Sequence, residues 1–328
     1  MSSHNYEDII SEENLLEAWK EFLAGKRKRV DVQKFQERLL NNILSLQRDL
    51  ATGRYKHSKY EAFRISDPKP RDIHKASVRD RLLHHAIYRK LYHFFDKKFI
   101  TDSFSCRIGK GAHRAMNRFR DFARKESRNH TQTVWVLKCD IKKFFASVDQ
   151  TVLLKIVARH IVDKNTLALL SEIVGSFNAG KEGAGLPLGN LTSQLLVNVY
   201  MNEFDQFAKH KLKAKYYIRY GDDFVILSRD RAWLVAVLPK IRDFLWDELR
   251  LTFHPKKVSI RTIASGVDFL GWVHFPDHRV LRTVTKRRML RRIEGLEEEN
   301  LSVQSYLGLL FHGNAKKLGQ EVRKRLAQ

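Results

Sequence analysis

The sequence predicts an α+β protein in which helices pack on one face of an antiparallel sheet. Helical and strand patterns follow one another in a mixed order along the chain, rather than as a regular strand–helix repeat. A continuous apolar run and a pair of apolar-aromatic runs around a turn supply the clearest strands. The 328 residues, 43% of them hydrophobic, are sufficient to bury a core, so a wholly disordered chain is excluded.

The elements follow from the spacing of apolar residues. Residues 64–81 are expected to form a basic arm interrupted by two prolines. Residues 103–115 are expected to form a loop that contains glycine and arginine. Apolar residues at helical spacing predict helices near 15–23, 33–51, 82–91, 150–160, 164–177, 191–210 and 231–248. Apolar runs predict a buried strand at 134–141, a hairpin at 215–227, and short strands near 258–262, 267–273 and 279–284. The last 40 or so residues are basic and predicted to be mostly helical.

The charge is strongly positive and spread along the chain. Lys and Arg total 61 against 37 Asp and Glu, which gives a net charge of +24 and a pI near 10.0. A globular protein this basic is expected to bind a polyanion, and nucleic acid is the leading candidate. A generally basic surface without such a partner is the alternative.

Cysteine usage and apolar runs bear on the compartment. Cys106 and Cys139 can supply neither a disulfide framework nor a cysteine metal cluster. The start of the sequence, MSSHNYEDII, has no apolar signal segment, and no apolar run reaches the length of a membrane span. We therefore expect a cytoplasmic protein with no membrane partner.

Three acidic residues form the candidate chemical centre. Gly221-Asp222-Asp223 lies between the two apolar-aromatic runs of the predicted hairpin, and Asp140 ends a separate apolar strand. Neighbouring carboxylates repel, and a divalent cation relieves that repulsion. If the strand lies beside the hairpin, the acids meet at one sheet edge, where two metal ions about 3.5–4 Å apart can promote phosphoryl transfer. A solvated hairpin turn is the alternative for the Asp-Asp pair alone.

Six segments, which follow one another along the chain in the order of the family's motifs, resemble reverse transcriptases. Tyr220-Gly221-Asp222-Asp223 resembles the YxDD box, although alanine is commoner where Gly221 stands. The other segments resemble the fingers motifs of bacterial enzymes related to group II introns, and motifs A, B, D and E: 64–87, 139–149, 185–194, 249–258 and 267–272. Together they cover about 64–275. The resemblance implies a right-hand polymerase fold of fingers, palm and thumb, with an antiparallel palm sheet that carries the YxDD hairpin.

One subgroup of this family is most similar. Leu188-Gly189 and Ser193-Gln194 in motif B resemble the reverse transcriptases of diversity-generating retroelements, and so does the segment 305–318. The resemblance implies copying of a template-repeat RNA with errors at adenines, and a small basic accessory protein that forms a pentamer of helical bundles. The alternatives are an ordinary-fidelity intron-like or defence-associated reverse transcriptase, an RNA-templated RNA polymerase, and a catalytically idle RNA-binding scaffold.

The resemblance also implies a division of the chain. Residues 1–63 are expected to form a helical lead-in and the start of the fingers, and 64–132 the fingers. Residues 133–276 are expected to form the palm, with 150–188 contributing to the fingers, and 277–328 the thumb.

The catalytic residues implied are Asp140, Asp222 and Asp223. They would hold two Mg²⁺ ions, for which Mn²⁺ is a possible substitute, and Asp223 would be the secondary ligand. The carbonyl of Ile141 is expected to complete a metal shell.

Nucleotide-binding roles are implied for several further residues. Phe145 is expected to be the steric gate that excludes a 2′-hydroxyl, with Phe144 as the competing choice. Lys69 and Arg71 are expected at the triphosphate of the deoxynucleotide, and Lys257 is expected to protonate the pyrophosphate leaving group. The residues expected to border the nascent base pair are Leu188, Gly189 and Gln194.

The primer and the RNA template are the remaining ligands implied. The family's primer grip is similar to 269–272, although Phe269 and Leu270 are equally compatible with a core role, leaving only the turn at the primer. Basic residues on a thumb helix would contact phosphates without reading sequence. The residues expected to contact a DNA or RNA primer, or the template, are Tyr220, Phe269, Leu270, Gly271, Trp272, Arg287 and Arg291.

Overall fold

The computed structural model describes residues 5–66 and 70–326. Its α-helices are α1 Tyr6–Ile10, α2 Glu12–Phe22, α3 Val30–Gln36, α4 Leu39–Ala51, α5 Val78–Asp96, α6 Ala112–Glu126, α7 Phe144–Ser147, α8 Gln150–Ala158, α9 Lys164–Gly175, α10 Leu191–Gln206, α11 Arg231–Asp247, α12 Thr283–Ile293, α13 Leu301–Leu310 and α14 Lys316–Leu326. Its strands are β1 Glu61–Ile65, β2 Arg71–Lys75, β3 Trp135–Asp140, β4 Tyr216–Tyr220, β5 Asp223–Ser228, β6 Ser259–Thr262, β7 Val267–Phe269, β8 Trp272–His274 and β9 Arg279–Leu281.

Three predicted elements differ in the structure. The helix predicted at 33–51 is two helices, α3 and α4. The basic arm is an antiparallel hairpin of β1 and β2, with Ile65 paired to Arg71. The strand predicted at 267–273 is divided by a turn, because Leu270 and Gly271 have φ values of 51° and 87°. This left-handed backbone cannot continue a strand.

The chain forms two compact units. The first contains the described residues of Met1–Thr101, Ile141–Lys211 and Ile241–His254, and the second those of Asp102–Asp140, Leu212–Lys240 and Pro255–Gln328. Compactness does not test the boundaries expected for fingers, palm and thumb, which stay a prediction.

The first unit is mainly helical. Helix α5 packs against α2 and α10, and α10 also packs against α8. Asn14 on α2 is buried and donates its side-chain amide to the carbonyl of Ala86 on α5, at 3.1 Å. The hairpin of β1 and β2 belongs to the same unit.

The second unit contains an antiparallel sheet in the order β4-β5-β3-β6. Alternate residues of a strand point to opposite faces, so Val136, Lys138 and Asp140 share one face. At its apolar end this face packs with residues of α6 such as Phe119 and Phe122 in one core cluster. The same face therefore runs from an apolar core to a carboxylate at the sheet edge.

A second sheet, β7-β8-β9, and the C-terminal helices complete this unit. Trp272 of β8 is buried with apolar residues of α12, α13 and α14, among them Met289, Val303 and Val322. The segment predicted to be basic and helical therefore has an apolar side that builds its own core.

Candidate active site

The sheet register brings two of the predicted acids together. Asp140, the last residue of β3, lies directly opposite Asp223, the first residue of β5. Directly opposed residues place their side chains on the same face, with Cβ atoms about 4.5–5.5 Å apart. The strand end and the hairpin are therefore neighbours, as the acid cluster requires.

The turn of this hairpin contains Gly221 and Asp222. Tyr220 pairs with Asp223, which leaves a two-residue connection. Gly221 has a φ of +65°, the conformation that favours glycine at the first position of such a turn. The structure places Asp222 in this turn, half-buried, next in sequence to the Asp140–Asp223 pair.

A buried arginine supports the turn. Arg219 of β4 is fully buried and donates from Nη1 to the carbonyl of Gly221 at 3.1 Å and from Nη2 to Oγ of Ser103 at 3.0 Å. Its own backbone bonds to Asp102 and Phe104. Arg219 was not among the predicted site residues, although a lone cation inside the apolar run YYIRY was a usable signal.

Asp223 is held in an unfavourable environment for a carboxylate. Burial raises its pKa to about 7, and the neighbouring charges of Asp140 and Asp222 add to this while Lys138 opposes it. One oxygen, Oδ1, is buried without a hydrogen-bond partner among the described residues. The other, Oδ2, lies 3.6 Å from Nζ of Lys138.

Asp140 carries a lysine as well. Nζ of Lys257 lies 2.9 Å from each of its carboxylate oxygens. This places Lys257, expected near the triphosphate, at the first predicted metal ligand. Lys138 was not among the predicted site residues. Besides its contact with Asp223, its Nζ donates a hydrogen bond to the carbonyl of Asp268 at 2.6 Å.

The donor set at this edge fits a hard divalent cation. Two opposed carboxylates, one with an unpartnered buried oxygen, are chemically suited to Mg²⁺ or Mn²⁺. Within 5–66 and 70–326, however, no group of three or more acidic, histidine or cysteine side chains is already arranged around a metal position. Asp140 and Asp223 thus lie together at the candidate centre, and the metal-ligand roles of Asp140, Asp222, Asp223 and the Ile141 carbonyl stay predictions. Ile141 forms a β-bridge with Phe253.

The first unit contains a cavity of about 620 Å³. Phe145 lines this cavity, whereas Phe144 is buried in the core. Of the two rings, therefore, only that of Phe145 can contact a ligand in the cavity. Leu188 also lines the cavity, together with residues of β1 and β2 such as Arg64 and His74. This arrangement favours Phe145 over Phe144 as a contact for a nucleotide.

The motif B residues lie against the hairpin. The backbone N–H of His74 donates to the carbonyl of Leu188 at 3.4 Å. Gly189 has a φ of +106°, and a Cβ there would be 3.4 Å from Ile73, so glycine permits a close approach. Gln194 lies half-buried in the first turn of α10, where buried His84 contacts the hydroxyl of Thr192 at 2.6 Å.

The expected triphosphate contacts are only partly placed. Arg71 begins β2 and is exposed. Lys69 lies outside the described residues.

The expected primer contacts need one correction. Phe269 and Trp272 are buried in core clusters, so their side chains cannot touch a primer. What the strand pair presents instead is its turn, Leu270 and Gly271. Tyr220 packs partly buried against the core of the sheet, and Arg287 and Arg291 are exposed one turn apart on α12.

One family model matches the chain: reverse transcriptase (RNA-dependent DNA polymerase), over residues 64–274. Protein YkfC of Escherichia coli (strain K12) is 25% identical over 305 residues, covering 80% of this chain and 77% of that protein. The putative COX1/OXI3 intron 1 protein of Saccharomyces cerevisiae is 25% identical over 170 residues, covering 49% of this chain and 20% of that protein. The chain therefore spans most of the bacterial relative but a minor part of the yeast one.

Solved structures show the same fold. Apo telomerase from Candida tropicalis, truncated from the C-terminal domain, has a TM-score of 0.52 at 13% identity over 74% of this chain and 60% of that chain. Telomerase from Candida albicans in complex with a TWJ fragment of telomeric RNA has a TM-score of 0.51 at 13% identity, over 82% and 55%. The predicted α+β right-hand polymerase fold is confirmed. In the part of the chain that the structure describes, no helix is long and apolar enough to span a membrane.

Proposed function

The chain belongs to the reverse transcriptase (RNA-dependent DNA polymerase) family, and we propose that it extends a primer with deoxynucleotides on an RNA template. The observation that carries the proposal is the pairing of Asp140 with Asp223 at the end of the sheet. An idle scaffold would have no need to keep there a partly buried carboxylate whose Oδ1 has no hydrogen-bond partner among the described residues, since an unsatisfied buried polar atom destabilises the fold.

In this reaction the 3′-hydroxyl of the primer gives its proton to solvent water and its oxygen attacks the α-phosphorus. Pyrophosphate leaves with the electron pair of the bond between the α-phosphorus and the bridging oxygen. Two divalent cations, when bound, lower the pKa of the attacking hydroxyl and stabilise charge on the leaving oxygen. Asp140, Asp222 and Asp223 would hold them, with Asp223 as the secondary ligand. Lys257 would supply a proton from Nζ to the pyrophosphate.

Phe145 supports a preference for deoxynucleotides. A ring that lines a nucleotide-sized cavity can exclude a 2′-hydroxyl by size, which disfavours the RNA polymerase alternative. Arg71 and Lys69 would contact the triphosphate.

The test is primer extension with Mg²⁺ on a defined RNA–DNA hybrid. Asp140→Asn and Asp223→Asn should each lower the rate at least 100-fold, because each removes a carboxylate from the candidate metal centre. Asp243→Asn, an exposed carboxylate on α11, is the matched control and should retain the rate. Full activity in both active-site variants would refute the proposal.

We further propose that the enzyme belongs to a diversity-generating retroelement and copies template adenines with errors. Support comes from Leu188-Gly189 and Ser193-Gln194, because an apolar side chain beside the base pair cannot reject a mispair through unsatisfied polarity. This proposal includes a cytoplasmic location and a small basic accessory protein that forms a pentamer.

Sequencing the product tests this subgroup. Errors should concentrate opposite adenine in the wild type and decrease in Leu188→Gln, while the exposed-site control Leu40→Gln should behave as the wild type. Repeating the assay with the candidate accessory protein tests that partner. Uniformly low error rates would favour the second candidate, an intron-type enzyme of ordinary fidelity, which the intron-encoded yeast relative supports.

A further inference from the structure

A second cleft in the unit that contains the acid pair is not used by the reaction above. It has a volume of about 370 Å³ and lies between the β8–β9 turn, the segment before α14 and one side of α6. The β8–β9 turn is at the opposite end of β8 from Leu270 and Gly271. A ligand in this cleft would therefore be separate from a primer at that other turn.

The floor of the cleft carries an arginine that has no carboxylate partner within the part of the chain that the structure describes. Arg279 donates from Nη2 to Oδ1 of Asn117 at 3.0 Å and from Nε to the carbonyl of His312, both neutral acceptors. Its Nη1 is buried and has no partner among the described residues. A guanidinium that is partly desolvated and unpaired is a ready binder of phosphate oxygens.

A second guanidinium reinforces this charge. Arg120 of α6 also lines the cleft; its side chain is 60% exposed, and its Nη2 lies 3.7 Å from Oδ1 of Asp121 on the same helix. The pKa of Arg279 is lowered by burial and then by the charge of Arg120, so the two cations are close enough to repel. Asp277, the one carboxylate among the described lining residues, lies 2.7 Å from Nδ1 of His278 through its Oδ1. An anion between the arginines would relieve their repulsion.

Flat rings surround the cations. Phe275 and His278 stack at 4.8 Å with their planes 12° apart, at the mouth formed by the β8–β9 turn. On the other wall His312 stacks on His113, and next to it the ring of Phe311 is 84% exposed. An exposed aromatic ring beside cations is the arrangement on which unpaired bases stack.

We propose that this cleft binds one unpaired nucleotide of a nucleic-acid single strand, with its phosphate at Arg279 and Arg120 and its base against the ring of Phe311. The volume is that of a small-ligand site and admits a nucleotide but not a duplex. An acidic peptide would use the guanidinium groups but leave the rings uncovered. The strand is the RNA being copied or the DNA being made, so the proposal rests on the proposed function.

Fluorescence anisotropy with labelled ten-nucleotide oligouridine, oligothymidine and a ten-base-pair hybrid tests it on the full chain. Phe311→Ala and Arg120→Gln should each weaken binding of a single strand about 5-fold or more, because a stacked base contributes about 1–3 kcal/mol. Arg120→Gln should also reduce the slope of log affinity against log salt by about 1, and Phe311→Ala should leave it unchanged. The strand that loses more affinity identifies the source.

Matched controls keep surface effects apart from the cleft. Leu301→Ala removes an equally exposed apolar side chain on α13, and Arg242→Gln removes an exposed arginine on α11; neither should change the affinity. An oligomer that contains 4-thiouridine should cross-link to the peptides around 275–278 or 311–314.

Two results would overturn the proposal: variants that bind single strands as the wild type does, or equal losses for the hybrid, which indicate charge alone. Extension of a saturating, pre-annealed hybrid by the control Leu301→Ala should match the wild type. Absence of extension by the wild type itself would count against the proposed function, not against the cleft.

Discussion

At the scale of single residues, the fold holds two carboxylates that repel each other, Asp140 and Asp223, side by side at the candidate active site. Asp223 lies partly buried opposite Asp140, and this burial raises its pKa to about 7. Between about pH 4 and pH 7 this carboxyl is protonated in the folded protein but ionised in the unfolded chain. Without a cation, folding stability therefore falls as the pH rises through this window.

Asp223→Asn should consequently stabilise the cation-free protein while abolishing polymerisation. We expect a gain of about 1–3 kcal/mol at pH 8, because the amide removes a buried, poorly compensated charge. Denaturant unfolding with EDTA measures it. At pH 5 the wild-type carboxyl is already neutral, so the gain should largely disappear; an equal or lower stability of the variant at pH 8 would contradict this account.

The residues at this edge were only partly predictable from sequence. Asp140, Asp222 and Asp223 stand out because carboxylates interrupt apolar runs. Lys138 does not, because one lysine more in a chain with 61 Lys and Arg carries no signal until the register is known. Lys257 was expected near the triphosphate, but its contact with Asp140 was not foreseen. The burial of Phe269 and Trp272 likewise depends on which face of a short strand meets the core.

At the scale of elements, the β4–β5 hairpin depends on one buried cation. Arg219 donates to the carbonyl of Gly221 and to Ser103, and so holds the turn that carries Asp222. Its guanidinium offers two donors at a fixed spacing, which a lysine cannot reproduce.

Arg219→Met should destabilise the protein by about 2–4 kcal/mol, because it leaves buried acceptors without donors. Arg219→Lys should recover part of the stability but less of the kcat for primer extension, since one ammonium group cannot reproduce the spacing of the two donors that bond Gly221 and Ser103. The exposed control Arg242→Gln should be silent in both measurements. If Arg219→Lys keeps the wild-type kcat, the arginine contributes only to folding.

Elements were predicted well where periodicity is long and poorly where a few residues decide. Helices such as α10 and α11 and the hairpin at 215–227 follow directly from apolar spacing. The β1–β2 hairpin was not predicted because proline cannot donate a hydrogen bond to a neighbouring strand, and the basic arm contains two prolines. The division between β7 and β8 depends on the positive φ of Leu270, a non-glycine residue for which sequence gives no warning.

At the scale of the whole molecule, each unit buries a neutral histidine. Burial lowers the pKa of His84 in the first unit to about 3, and that of His274 in the second to about 4. For His84 the charge of His57 acts in the same direction and Asp80 opposes it. Both groups bind a proton in the unfolded chain below about pH 6.5 but not in the folded protein.

Stability should therefore decrease as the pH falls from about 6.5 towards 4, by about 1.4 kcal/mol per pH unit for each of the two histidines. Denaturant unfolding at several pH values measures the slope. His84→Gln should lower the slope, and the exposed control His93→Gln should not. An unchanged slope in His84→Gln would show that its ring is already protonated when folded.

The ion pair between Lys257 and Asp140 bears on how the enzyme binds its metal ions and its nucleotide. While Lys257 grips both oxygens of Asp140, an incoming cation must compete with an ammonium group for the same carboxylate. A nucleotide that arrives with the cation offers the displaced ammonium a new anionic partner in its phosphates. Cation and nucleotide would then bind with positive cooperativity, because each raises the affinity for the other. Without a nucleotide, the enzyme would bind metal ions only weakly.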